Sequence, residues 1–139
     1  MFQNILVPTD FSKTSRHALD IAVDIALLDK GQIDLLHVIE TVPHITFEEL
    51  QSFYTKLEAH AGQELKNLLS LYRRRPVKIE PHILYGNRVQ EILKFAQEHK
   101  IDLIVMNSHK VDLNNPTHGW GTISYKVGVL SQCPILLVK

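Results

Sequence analysis

Residues 77–84 read VKIEPHIL, and the proline inside that run decides the fold. The run alternates as a strand does. Pro81 has no N–H to give a neighbouring strand, so it belongs at the edge of a sheet. Around it, short apolar runs alternate with longer segments of helical periodicity. Residues 4–8 (NILVP), 33–39 (IDLLHVI), 101–106 (IDLIVM) and 134–138 (PILLV) read as strands, and 101–106 has the unbroken apolar character of a strand covered on both faces. Asp10 and Ser12 each suit a helix N-cap, and Ala18, Ile21, Ala22, Ile25 and Ala26 follow at amphipathic spacing, with a stop near Lys30-Gly31. A second helix, from about Thr46, carries Leu50, Phe53, Tyr54, Leu57, Ala61, Leu65, Leu68 and Tyr72 on one stripe. It closes on Arg73, Arg74 and Arg75, cations that suit a helix C-terminus, before Pro76. Val89, Ile92, Leu93 and Ala96 mark a third helix after the Gly86-Asn87 turn, and Ile123, Val127 and Leu130 a fourth.

Strands separated by helices run parallel through right-handed crossovers. The pattern therefore predicts one α/β domain over residues 1–139, a doubly wound five-stranded parallel sheet with helices on both faces. Two strand orders are common. Order 2-1-3-4-5 reverses between strands 1 and 3, and order 3-2-1-4-5 between strands 1 and 4. The edge position that Pro81 requires exists only in the second. The turn-rich material also lies after strand 1 (Pro8, Thr9, Asp10) and after strand 4 (Asn107, Ser108, His109 onward), which again favours 3-2-1-4-5. Ligands of open α/β sheets bind beyond the carboxyl ends of the strands at that reversal.

Composition narrows the partners. Fifteen lysines and arginines balance fifteen aspartates and glutamates, so broad electrostatic binding to nucleic acid is not expected. The single cysteine, Cys133, forms no internal disulfide and reads as a small buried apolar residue. No run approaches the ~18 apolar residues of a membrane span, and MFQNILVPTDF lacks the pattern of a signal peptide, so a cytoplasmic location is expected. His44, His60, His82, His99 and His118 share no metal-ligand spacing. His109, Asp112 and His118 fall within one loop without forming a recognised ligand pattern, and no metal site is expected. His37 reads as a satisfied core histidine.

The loop after strand 4 enters its helix through Gly119, Trp120, Gly121 and Thr122. Glycines let backbone N–H groups approach an anion, and a helix start adds unpaired donors and the positive end of a dipole. Thr122 and Ser124 add hydroxyls. The same residues also suit a plain turn and cap. There is no nucleophile elbow, no carboxylate pair and no G-x-x-x-x-G-K-[ST] loop, so no catalytic residue is named.

ILVPTDFS at the start, LLHVIE in strand 2, DLIVMNSH in strand 4, then GTISYKV and CPILLVK together resemble the universal stress protein family over the whole chain. The resemblance implies a sheet of order 3-2-1-4-5 and, in one branch of the family, ATP binding through G-x-x-G, nine residues, then G-[ST]. It implies that Pro8, Thr9 and Asp10 hold the adenosine end together with Val38, and that Met106, Asn107, Ser108, His109, Lys110, Gly119, Gly121, Thr122, Ile123 and Ser124 surround the phosphates. Asn107 and Lys110 stand where that motif has its first two glycines, and ten residues rather than nine separate Lys110 from Gly121. Asn107 tolerates a positive φ if the position demands one; Lys110 does so poorly but offers an ammonium to a phosphate. The reading is thus a stress-response protein that binds ATP, with or without magnesium, as a regulatory ligand. The alternatives are a dimeric module that has lost nucleotide and meets an unidentified protein partner, and a slow ATP hydrolase. The resemblance also implies a homodimer through residues 135–138, an apolar edge strand that pairing with its copy would cover.

Overall fold

The structure, a computed structural model, describes residues 1–108, 113–114 and 122–139. The elements follow in the order β1 (Asn4–Pro8), α1 (Lys13–Asp29), β2 (Gln32–Glu40), α2 (Gln51–Leu71), β3 (Lys78–Gly86), α3 (Arg88–Glu98), β4 (Leu103–Asn107), α4 (Ile123–Leu130) and β5 (Ile135–Val138). All strand pairs are parallel and the order is β3-β2-β1-β4-β5, as expected. Pro81 lies opposite Leu35 on β3, which is an edge strand of the sheet among the described residues.

Period-2 alternation splits the core into two layers. Ile5 and Val7 of β1 and Leu103 and Val105 of β4 face α1 and α2, against Leu19, Val23, Leu65 and Leu68. Leu6, Leu36, Val38, Ile104 and Met106 face α3 and α4, against Ile92, Phe95 and Val127. The central strands are apolar on both faces because helices cover both, which is why 101–106 reads as an unbroken apolar run. No helix among the described residues is long and apolar enough to cross a membrane.

α1 stops at Lys30-Gly31 as expected, and three other local expectations are corrected. The left-handed residue that ends α1 is Lys30 (φ 54°). Gly31 is needed for space, since a Cβ there would stand 2.6 Å from the Phe2 carbonyl oxygen. The second helix begins at Gln51, not Thr46. Thr46 and Glu49 bond reciprocally, each accepting the other's backbone N–H at 3.2 Å, and that pair closes a separate turn before the helix. Phe53 lies off the buried stripe, which runs through Tyr54, Ala61, Leu65 and Leu68; Phe53 is half exposed. Tyr54 is fully buried, stacks on Phe47 at 5.1 Å and accepts the Val42 N–H at 2.9 Å. Cys133 is half-buried, with its sulfur 3.5 Å from the Ser131 hydroxyl, so it is less enclosed than expected.

Candidate functional site

β1 stops at Pro8 opposite Leu36, whereas β2 continues to Glu40. The chain beyond β1 turns across the gap and is held there. The Thr9 N–H bonds the Leu36 carbonyl at 2.8 Å, and the Nδ1–H of His37 donates to the Thr9 carbonyl at 2.8 Å. Because a carbonyl only accepts, that bond fixes the proton on Nδ1 of His37. Phe11, at φ 66°, packs on the His37 ring at 4.4 Å. Burial lowers the pKa of His37, partly opposed by the Thr9 hydrogen bond and aided by the charge of Arg88. The Leu36 carbonyl points toward β1. Alternation along a strand therefore turns the N–H and C=O of Val38, two residues on, to the same side, past the end of β1.

On the other side of the gap, β4 delivers Met106 and Asn107, and the Ser108 N–H caps β5 through the Val138 carbonyl at 2.7 Å. Asn107 does not adopt a positive φ; it is the last residue of a regular strand, and its side-chain amide donates to the Thr14 hydroxyl at 3.2 Å. The allowance made for left-handed backbone at this position is unnecessary. Thr122 caps α4, its hydroxyl accepting the Tyr125 N–H at 3.4 Å. The Ser124 hydroxyl, nearly buried, lies 3.0 Å from that of Ser108 and 3.4 Å from that of Thr122. Three hydroxyls thus meet at the start of α4, at the positive end of its dipole.

Between these two walls lies a cleft of about 290 Å³. Pro8, Thr9, Asp10, Val38, Met106, Asn107, Ser108, Thr122, Ile123 and Ser124, ten of the residues singled out from the sequence, all line it. His109, Lys110, Gly119 and Gly121 lie outside the described residues, as do Asp112, His118 and Trp120. Sequence reasoning missed Thr14, Leu36, Arg88 and Ile92, which line the same space. Leu36 was signalled by standing two residues before Val38 on one strand face. Arg88 and Ile92 are one turn apart at the start of α3, and in a parallel sheet every helix starts at the same end as the cleft.

The cleft is chemically graded. Leu36, Val38, Ile92, Met106 and Ile123 make an apolar floor, and hydroxyls and amides make the rim. Among the described lining residues, Asp10 and Arg88 carry the charge. Burial raises the pKa of Asp10, but hydrogen bonds from the Ser12 hydroxyl and amide outweigh it and hold the carboxyl below the usual range. Asp10 therefore both braces the start of α1 and presents an anion to the cleft. The guanidinium of Arg88 is 3.9 Å from Glu40, a loose and half-exposed pair that leaves it able to turn toward a ligand.

These features define a class, the doubly wound α/β domain with a ligand-sized cleft where its strand order reverses. The universal stress protein family model matches residues 1–139, and the chain belongs to that family. It is 30% identical over 143 residues to the universal stress protein MJ0531 of Methanocaldococcus jannaschii, covering all of this chain and 83% of that one. It is 29% identical over 152 residues to YxiE of Bacillus subtilis, with both chains fully covered. Among solved structures, the MJ0577 protein of Methanocaldococcus jannaschii superposes with a TM-score of 0.84 at 31% identity, over 100% of this chain and 96% of that one. UspA from Lactobacillus plantarum superposes with a TM-score of 0.82 at 25% identity, over 99% and 98%.

Proposed function

We propose that the cleft binds an adenine nucleotide, ATP with magnesium in the expected form, as a regulatory ligand and not as the substrate of a dedicated catalyst. The observation that carries this reading is the convergence of ten sequence-marked residues on one cleft at the β1/β4 reversal. The N–H and C=O of Val38 match the acceptor and donor on the edge of adenine. Asp10 suits the ribose hydroxyls, since an ionised carboxylate accepts hydrogen bonds only. Ser108, Thr122, Ser124 and the N–H groups of α4 suit the phosphates. Arg88 supplies a cation that a chain of balanced charge otherwise lacks among the described lining residues. Two fold relatives support the reading. A universal stress protein solved in complex with cAMP superposes at a TM-score of 0.71 (21% identity), and one from Archaeoglobus fulgidus in complex with dAMP at 0.72 (19% identity).

The assembly in this proposal is a cytoplasmic homodimer through β5. Leu136 on this edge strand is an exposed apolar group. Pairing of edge strands across a two-fold axis buries it.

Isothermal titration with ATP and magnesium tests the nucleotide reading. Saturable heat and a thermal upshift are expected. No heat and no upshift at millimolar ATP refute it and leave the dimeric interaction module as the reading of choice.

A further inference from the structure

At the other end of the sheet, away from the cleft, Asp34 of β2, Glu80 of β3 and His82 of β3 project from the face that α3 covers. Asp34 and Glu80 are register partners, so their side chains leave the same side of the sheet, and His82, two residues on, joins them. The His82 Nε2 stands 2.8 Å from the Asp34 Oδ1, and one ligand-capable atom from each of the three residues lies within 4.8 Å of the others. Among the described residues this is the group of histidine and carboxylate side chains gathered closely enough to share an ion.

Several features set it apart from a chance surface cluster. Asp34 is 8% exposed, a poor place for a carboxylate without a full set of partners. Its register partner is a second carboxylate, and like charges directly opposite on a sheet repel. Lys78 relieves this only weakly, at 4.0 Å from Glu80 with both groups mostly in solvent. The His82 ring is wedged edge-on against Phe95 at 4.8 Å. His99, at the C-cap of α3, stacks on the same Phe95 ring at 3.7 Å and lies 6.0 Å from His82 between ring centroids. The Nδ1–H of His99 donates to the Phe95 carbonyl at 3.1 Å, which leaves its Nε2 with a free lone pair.

We infer that Asp34, Glu80 and His82 form a three-ligand binding site for a divalent transition ion of the zinc type, tying β2 to β3 on the face that α3 covers. The chemistry selects the ion class. Imidazole with carboxylate suits zinc and its neighbours, whereas magnesium and calcium take oxygen alone. Zinc bonds of about 2.0–2.1 Å at tetrahedral angles separate neighbouring ligand atoms by about 3.3 Å, and the ligand atoms here include one pair at 2.8 Å and all lie within 4.8 Å of one another. The ion takes the place of the hydrogen bond between His82 Nε2 and Asp34: the neutral ring binds it through the Nε2 lone pair with its proton on Nδ1, and the two carboxylates gain a common cation. The C-terminal carbonyls of α3 add a negative potential that favours a cation nearby. Spacing along the chain does not mark this site, because its ligands come from two adjacent strands that meet only through register.

The inference is independent of nucleotide binding. Chelator-treated protein is titrated with zinc chloride in a non-coordinating buffer, with magnesium chloride as the control ion. Expected are one zinc per chain, no comparable magnesium binding, and an affinity at least tenfold lower in both Glu80→Gln and His82→Gln, the usual scale for losing a ligand or its support. His60→Gln, at an exposed histidine of α2, is expected to bind like the parent. Glu80 is mostly exposed, so Glu80→Gln decides the matter even where His82→Gln folds poorly. No binding, or parental affinity in Glu80→Gln, overturns the site; parental affinity there would place the zinc on other surface histidines.

Discussion

Replacing Ser124 with alanine separates a binding role at the start of α4 from a merely structural one. The Ser124 hydroxyl is nearly buried and has two hydroxyl neighbours, Ser108 at 3.0 Å and Thr122 at 3.4 Å. Its loss leaves the Ser108 hydroxyl without that partner, while Thr122 still accepts the Tyr125 N–H. One neutral hydrogen bond of this kind is worth about 1 kcal/mol. For a domain of this length that corresponds to a fall in Tm of about 3–5 °C. If the same hydroxyl also donates to a phosphate oxygen, a charge-assisted bond of about 1.5–3 kcal/mol disappears, weakening nucleotide roughly 10- to 150-fold. Differential scanning fluorimetry without ligand reads the first effect, and titration calorimetry with ATP and magnesium reads the second. A variant that melts lower by the expected few degrees yet binds ATP within twofold of the parent would refute the assignment of phosphates to the Ser108, Thr122 and Ser124 cluster.

Tyr54→Phe removes the acceptor of the Val42 N–H inside an aromatic cluster, and urea unfolding is expected to show a loss of about 1–3 kcal/mol with an unchanged m-value. His37 is expected to titrate below its ordinary value of 6.5, read from its ring proton shifts by NMR. Its folded pKa is lowered, so the unfolded chain binds the proton more readily. Stability is then full above pH 6.5 and declines as the pH falls below it, and the decline should be shallower in His37→Gln. Leu136→Lys places a charge on the exposed β5 edge, and light scattering at micromolar concentration should show a dimer for the parent and a monomer for the variant.

Much of this molecule was legible along the chain. The unbroken apolar runs of β1 and β4, the amphipathic stripe of α1 and the lone proline of β3 led to the element order and the sheet order together. These signals are local, since hydrophobic periodicity and the missing N–H of proline act wherever the residue stands. The switch-point residues were readable for the same reason: the topology alone says which loops meet. Element ends were less legible. The start of α2 moved because Thr46 and Glu49 satisfy each other in a turn.

Other facts exist only in three dimensions. Arg88 reaches the cleft because α3 starts beside β2, not because of any motif around it. The regular backbone at Asn107 shows that what stands in place of a glycine need not inherit a glycine's conformation. Asp34, Glu80 and His82 become neighbours through register, one strand against the next, across 48 residues of chain between Asp34 and His82. Order along the chain determines which elements form and in what arrangement, because burial and backbone sterics are properties of short segments. Side chains from distant segments meet only when the sheet closes, and the distances between them, on which binding depends, are set by that closure.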